Sequence, residues 1–153
     1  MCSSDLGYIE DNRGHVRVYD WTGSAWVQVG ADIDGEAAGD RSGHSVALSA
    51  DGSRVAIGAP HNDGNGDRSG HVRIYQWSGG SWFQLGLDID GEATGDASGY
   101  SVALSADGSR VAIGAPYNND RNFDSGHVRI FDWTGSAWVQ VGADIEDRKS
   151  TRL

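Results

Sequence analysis

Three oxygen-bearing side chains at alternate positions, Asp63, Asn65 and Asp67, form the first candidate site for chemistry. Carboxylate and amide oxygens at this spacing are typical of loops that bind Ca²⁺, a hard cation that takes about six to eight oxygen ligands. Such a site would belong to one loop alone, because the residues 56 positions further on are Asn119, Arg121 and Phe123. We therefore consider calcium a candidate cofactor at this loop, and we expect no other cofactor.

A second group, Asp40, His44 and Ser45, contains the three residue types of a hydrolase triad. Closeness in sequence does not provide triad geometry, which depends on how the side chains meet in space. The residue equivalent to His44 in the next copy of the sequence is Tyr100, so the set is not repeated. We predict that the chain carries no catalytic residues and is not an enzyme.

Three histidines, His15, His71 and His127, occupy the same place in three copies of the motif GHVR. Imidazole is a common metal ligand, but residues in separate repeats are not expected to converge on one ion. We interpret them as polar residues on strand faces. Acidic residues also collect in the connection between repeats, where a solvated loop is the first interpretation and contact with calcium or a ligand the second: Asp32, Asp34, Glu36 and Asp40.

All six tryptophans occur as pairs that bracket a four-residue turn rich in Gly and Ser. The pairs are Trp21 with Trp26, Trp77 with Trp82, and Trp133 with Trp138. They could form an aromatic platform for a sugar, or they could be cross-strand pairs that hold each hairpin together. The second interpretation is favoured, because aromatic pairs stabilise hairpins without any ligand.

These residues lie in a repeat of 56 residues that starts at Gly14, restarts at Gly70 and starts again at Gly126. Apolar and polar residues alternate with a period of two, which predicts β-strands at residues 44–49, 54–59, 71–77 and 82–89 and no helix. In the last strand we expect Phe83, Leu85, Leu87 and Ile89 to share one face. Asp51-Gly52 predicts a tight two-residue hairpin turn.

Four antiparallel strands in each repeat predict an all-β fold, a partial β-propeller of about two and a half blades. The blades are expected at residues 7–42 (the second half of one blade), 43–98 and 99–146. Residues 1–6 (MCSSDL) and 147–153 (DRKSTRL) depart from the repeat and resemble translated sequencing-adapter sequence, so we expect both segments to be non-native. The remaining blades would then belong to a longer protein and would pack against these.

Composition disfavours two classes of protein, those that bind nucleic acid and those that span a membrane with a helix. The formal net charge of −10 disfavours nucleic acid as a partner, because an acidic surface repels phosphates. No apolar run approaches the roughly 20 residues that a membrane-spanning helix needs. The single cysteine, Cys2, lies in the suspected non-native head, and the acidic body rich in Gly and Ser suits an extracellular or cell-surface protein.

The segment SGHSVALSADGSRVAIGAP resembles the FG-GAP repeat of integrin α-subunit propellers and of many bacterial surface proteins. The motif residues that carry the resemblance are Gly43, Ser45, Gly58, Ala59 and Pro60, and in the next copy Gly99, Ser101, Gly114, Ala115 and Pro116.

Two features of this chain depart from the family pattern. Ser42 and Ser98 replace the phenylalanine of the family motif, and His44 or Tyr100 could replace it in packing. Many family members carry a DxDxDG calcium loop where this chain has only SADGS, so the resemblance does not transfer a calcium site to Asp51 or Asp107.

The resemblance implies a noncatalytic adhesion module that binds a protein or glycan ligand at a cell surface. One alternative is the propeller part of an enzyme whose active site lies in another region. A passive structural repeat is the other.

Overall fold

The computed structural model describes residues 11–118 and 126–146, and all regular structure in these two ranges is β. The first group of strands is β1 (His15–Val16), β2 (Tyr19–Trp21), β3 (Trp26–Gln28) and β4 (Ile33–Asp34). The second is β5 (Ser45–Leu48), β6 (Arg54–Ala59), β7 (His71–Ser78), β8 (Ser81–Gln84) and β9 (Ile89–Asp90). The third is β10 (Ser101–Leu104), β11 (Arg110–Ala115), β12 (His127–Trp133), β13 (Trp138–Gln140) and β14 (Ile145–Glu146). The predicted non-native ends, residues 1–6 and 147–153, lie outside the described residues.

The second and third groups are antiparallel sheets of the same design. Strands follow one another as β5-β6-β7-β8, with β9 also paired to β7, and the third group repeats this order as β10-β11-β12-β13 with β14 on β12. In the first group, β1 pairs with β4 and β2 with β3, which is the arrangement of the outer half of the later sheets. The prediction of an all-β partial propeller with repeated antiparallel blades is confirmed. We call the three groups blade 1, blade 2 and blade 3.

The outermost strand of each blade is divided in two, and here the predicted single strand is wrong. Tyr75 lies opposite Gln84, whereas Val72 lies opposite Ile89, so four residues of the outer strand face two of β7. Gly86 sits in this bulge with a φ of 77°. The predicted alternation also fails, because Leu87 is 85% exposed while Ile89 is 6% exposed.

The turn between β5 and β6 spans residues 50–53, the four residues left between the predicted strands, but it is not the predicted two-residue Asp-Gly turn. The amide of Ser49 donates to the carbonyl of Arg54, which leaves four residues in the loop. Gly52 has a φ of 74°, but Asp51 does not take a positive φ. The Asp51 carboxylate instead closes the loop by accepting hydrogen bonds from the Ser53 amide and from the hydroxyls of Ser49 and Ser53. These bonds lower the pKa of Asp51 to about 2.

The core lies between consecutive sheets rather than within one. Alternate residues of β6 point to opposite faces, so Val55 and Ile57 pack toward blade 1 while Ala56 packs toward blade 3. The larger cluster, between blades 2 and 3, consists of Ala56, Val72, Ile74, Ile89, Val111, Ile113 and Phe131. A blade therefore buries its apolar faces only when another blade stacks on it.

Candidate functional site

Each tryptophan pair lies directly across a hairpin. Trp77 is opposite Trp82, and their ring centroids are 5.2 Å apart; the other two pairs have the same geometry at 5.4 Å. The second tryptophan also reaches the preceding blade, since Trp82 Nε1 donates to the carbonyl of Val29 at 2.8 Å. The indole rings lie over Gly30, where a Cβ would be 2.6 Å from Trp77. The pair thus joins two blades as well as two strands.

The glycine and serine of the repeated motif form a second contact between blades. Ser45 lies opposite Gly58 on neighbouring strands, and its hydroxyl donates to the carbonyl of Gly99 in the next blade at 2.7 Å. A Cβ on Gly58 would lie 2.0 Å from that carbonyl oxygen. Glycine is required here because two backbones approach closely, and not because of an unusual φ.

The other motif residues lie on these strands, on the equivalent strands of blade 3, or directly beside them. The amides of Gly43 and Gly99 donate to the carbonyls of Gly58 and Gly114 at 3.1 Å. Ser101 lies opposite Gly114, as Ser45 lies opposite Gly58. Ala59, Pro60 and Ala115 are buried, whereas Pro116 is exposed.

The structure does not assemble the triad types that the sequence contains. The Asp40 carboxylate is buried and accepts hydrogen bonds from the Ala37 amide and from Asn62 Nδ2, the latter at 2.9 Å. His44 is exposed and contacts Tyr100, with ring centroids 4.7 Å apart and ring planes inclined by 53°. Since Ser45 donates to the next blade, the three side chains serve three separate contacts. The buried pair recurs as Asp96 with Asn118 at 2.8 Å.

The three candidate calcium ligands at residues 63–67 are also divided between two places. Asp63 and Asp67 line a surface cavity of about 260 Å³ that also contains Arg41 and Arg68. Asn65 does not line this cavity, because its amide donates to the carbonyls of Gly91 and Glu92 at 2.8 and 3.0 Å. The loop therefore presents two carboxylates beside two guanidinium groups, a poor environment for a divalent cation. The equivalent residues 119, 121 and 123 lie outside the described residues.

The histidines of the GHVR motif meet acidic residues at each junction between blades. His71 is grouped with Glu36 of blade 1 and Asp88 of its own blade, and one ligand atom from each lies within 4.8 Å of the other two. His127, Glu92 and Asp144 repeat this arrangement. Burial lowers the pKa of His71, against the opposing charge of Asp88. The equivalent His15 is exposed and lies near Asp32 and Asp34.

A groove opens beside two of the tryptophan pairs, between one blade and the next. The first groove, between blades 1 and 2, is about 340 Å³ and is lined by Ala31, Asp32, Ile33, Asp34, Tyr75, Ser81 and Trp82. The second, between blades 2 and 3, is about 320 Å³ and is lined by Leu87, Asp88, Ile89, Asp90, Arg129, Phe131, Ser136, Ala137 and Trp138. We call them groove 1 and groove 2. Both combine an indole, a second aromatic ring and two carboxylates, and burial raises the pKa of Asp90.

Sequence reasoning missed both the grooves and the histidine clusters. Each joins residues about 35 to 50 positions apart on different blades, and no local spacing shows which faces meet. The available signal was the repetition itself, since an acidic residue, a GHVR histidine and a tryptophan recur together in every copy. The described residues contain no helix that could cross a membrane.

Comparison with known families agrees with this architecture. The family model described as FG-GAP repeat matches residues 31–75 and 88–131, which include Ser45, Gly58 and Gly99 of the contact between blades 2 and 3. No curated protein matches the chain. With repeated antiparallel blades, a glycine that admits the next blade and a family match over more than half its length, the chain belongs to the FG-GAP repeat family.

Proposed function

We propose that this chain is part of a noncatalytic adhesion module that binds a protein or glycan ligand at a cell surface. The recurrence of the groove supports this most directly. Every residue that lines groove 1 has its equivalent in groove 2, which adds Arg129 and Ser136, and the volumes are similar, about 340 and 320 Å³. Equivalent sites at consecutive junctions suit a ligand with repeating units, because simultaneous contacts raise avidity. A function distributed over repeats also needs no unique catalytic constellation.

The chemistry of the grooves favours a glycan over a peptide of strongly acidic character. In groove 1 the indole of Trp82 and the ring of Tyr75 offer apolar faces, while Asp32 and Asp34 offer acceptors for hydroxyl groups. A sugar ring has an apolar face and a rim of hydroxyls, so it can stack on an indole and donate to carboxylates. With two carboxylates and no basic residue in its lining, groove 1 would repel an anionic ligand.

We infer further that additional blades cover the two outer faces of this segment. Ile145 is 56% exposed, whereas the equivalent Ile89, beneath blade 3, is 6% exposed. On the opposite face, Trp26 is 67% exposed, whereas the equivalent Trp82 donates to Val29. Apolar faces of this extent mark surfaces that pack against a partner, and a longer propeller of the same repeat supplies one with matching donors and acceptors.

Glycan and protein arrays probed with the purified chain test the binding function. Asp34→Asn and Asp90→Asn alter equivalent carboxylates of the two grooves, and Asp20→Asn is a charge-matched control on exposed β2. We expect the two groove substitutions combined in one chain to weaken ligand binding by at least about tenfold. The control should bind the ligand as tightly as the unmodified chain. Absence of any array ligand, or a ligand whose binding both groove variants retain, would contradict the proposal. Antibody labelling of intact source cells tests the surface location.

A further inference from the structure

The two histidine clusters at the blade junctions carry a second inference, which rests on observations other than those for the grooves, although Asp88 belongs to both the first cluster and the lining of groove 2. We define a junction cluster as one GHVR histidine, the aspartate near the outer strand of the same blade, and one glutamate of the preceding blade. The two clusters are Glu36, His71 and Asp88, and Glu92, His127 and Asp144. Each contains one imidazole and two carboxylates contributed by two blades, so occupation by a single ion would link the blades.

The distances within the clusters suit metal ligands better than direct hydrogen bonds. His71 Nδ1 lies 3.7 Å from Asp88 Oδ2. His127 Nδ1 lies 3.6 Å from Asp144 Oδ2, and its Nε2 lies 3.5 Å from Glu92 Oε1. These separations are long for N–H···O bonds. Bonds of about 2.0–2.2 Å from a tetrahedral zinc ion place its ligand atoms roughly 3.4 Å apart, which is close to the observed spacing. Small side-chain adjustments would complete the coordination.

The buried imidazoles are also unsatisfied. The side chains of His71 and His127 are 2% and 1% exposed, and among the described residues the Nδ1 atom of each has no hydrogen-bond partner. A buried polar atom without a partner costs about 1–3 kcal/mol, so repeating one at two junctions is costly unless something binds there. The carboxylates are more open, with Glu36 43% and Asp88 30% exposed, which gives an ion access from solvent.

Neighbouring side chains hold the carboxylates in place. Gln84 Nε2 donates to Asp88 Oδ1 at 2.6 Å, which leaves Oδ2 directed toward His71, and Gln140 does the same for Asp144 at 2.6 Å. Arg73 Nη1 donates to Glu36 Oε1 at 3.3 Å. Hydrogen bonds of this kind orient metal ligands and are a regular part of metal sites. The nearby guanidinium reduces the negative charge of the site and moderates its affinity.

We propose that each junction cluster binds one Zn²⁺ ion, which links consecutive blades. Imidazole nitrogen with carboxylate oxygen suits zinc, whereas calcium takes oxygen ligands only. The remaining position of a tetrahedral site would be filled by water. His15, Asp32 and Asp34 do not form an equivalent site, because His15 is exposed rather than buried and the group contains no glutamate of a preceding blade. The chain is therefore expected to bind two equivalents of zinc.

Isothermal titration of the purified chain with zinc chloride tests the site. We expect two equivalents for the unmodified chain, one for Glu36→Gln and for Glu92→Gln, and none of comparable affinity for the double variant. These glutamates are partly exposed, so the variants should keep the fold, which circular dichroism checks. Asp20→Asn again controls for the loss of one negative charge and should retain both equivalents.

Long-range ¹H–¹⁵N spectra of the histidines identify the ligand atoms directly. Zinc should shift the Nδ1 resonance of His71 and one ring-nitrogen resonance of His127, and leave both ring nitrogens of His15 unchanged. Zinc binding that persists in the double variant, zinc-induced shifts confined to His15, or no binding above that of the double variant would each overturn the proposal.

Discussion

The indole Nε1 of Trp138 donates a 2.8 Å hydrogen bond to the main-chain carbonyl of Leu85 in the preceding blade. Trp82 makes the same bond to Val29 across the previous junction. Donor and acceptor are 53 residues apart in both cases. The contact between blades is therefore repeated as faithfully as the blades themselves, and it can be tested at one junction with a control elsewhere in the chain.

Trp138→Phe should destabilise the chain by about 1 kcal/mol. The substitution removes the N–H donor and leaves the Leu85 carbonyl without that partner while keeping an aromatic ring in the hairpin. Urea denaturation followed by circular dichroism measures the change. Trp26→Phe is the matched control, because Trp26 is 67% exposed, and it should change the free energy of unfolding by less than about 0.5 kcal/mol. If both variants lose the same free energy of unfolding, the hydrogen bond to Leu85 contributes nothing to stability.

Gly58→Ala should be more damaging than Gly114→Ala. A Cβ at Gly58 would lie 2.0 Å from the Gly99 carbonyl oxygen of the next blade, so a backbone must move. At Gly114 the Cβ would meet the Ser101 hydroxyl at 2.3 Å, and that side chain can rotate away. We expect Gly58→Ala to cost at least about 1–3 kcal/mol. Thermal unfolding of both variants gives the comparison, and a milder effect at Gly58 would refute the close approach.

Asn62→Asp should destabilise the chain in a pH-dependent manner. Asn62 Nδ2 donates to the buried carboxylate of Asp40, and the substitution would place a second carboxylate 2.9 Å away. Two such groups cannot both ionise cheaply, so the unfolding free energy should fall by several kcal/mol near about pH 7 and recover partly near about pH 4, where one proton is shared. Denaturation at both pH values measures this. Asn62→Ala serves as the control, since it removes the donor without adding a charge.

Asp51 and Asp107 should stabilise their turns in a way that acid removes. Hydrogen bonds from the following serine, led by its backbone amide, lower the pKa of each aspartate to about 2. A lowered folded-state pKa means that the contribution is present above the unfolded pKa of about 3.9 and is lost as the pH falls toward about 2. The difference in urea midpoint between the chain and an Asp51→Ala, Asp107→Ala variant should therefore shrink over this range. A difference that stays constant would contradict the assignment.

The strands and blades could be predicted from the sequence because alternation within a segment and repetition along the chain are visible without knowing which residues meet in space. The range of β6, Arg54–Ala59, is the predicted one. The outer strand was mispredicted because Gly86 lies under Trp133 and Trp138 of the next blade, where a tertiary contact outweighs the alternation of Leu85 and Leu87. The same limitation hid the junction clusters. Sequence identifies which residues recur, but only stacked sheets show which recurring residues meet.

The close approach of Gly58 to Gly99 has a consequence for how such a chain can change over generations. Each unit carries one half of a contact on its leading side and the complementary half on its trailing side, as Ser45 and Gly99 show. A whole unit gained or lost by recombination would join its new neighbours through contacts already present, with no new interface to evolve. A gain of two or three residues inside β6 would misplace every donor on that strand. The architecture tolerates change in multiples of 56 residues far better than in small steps.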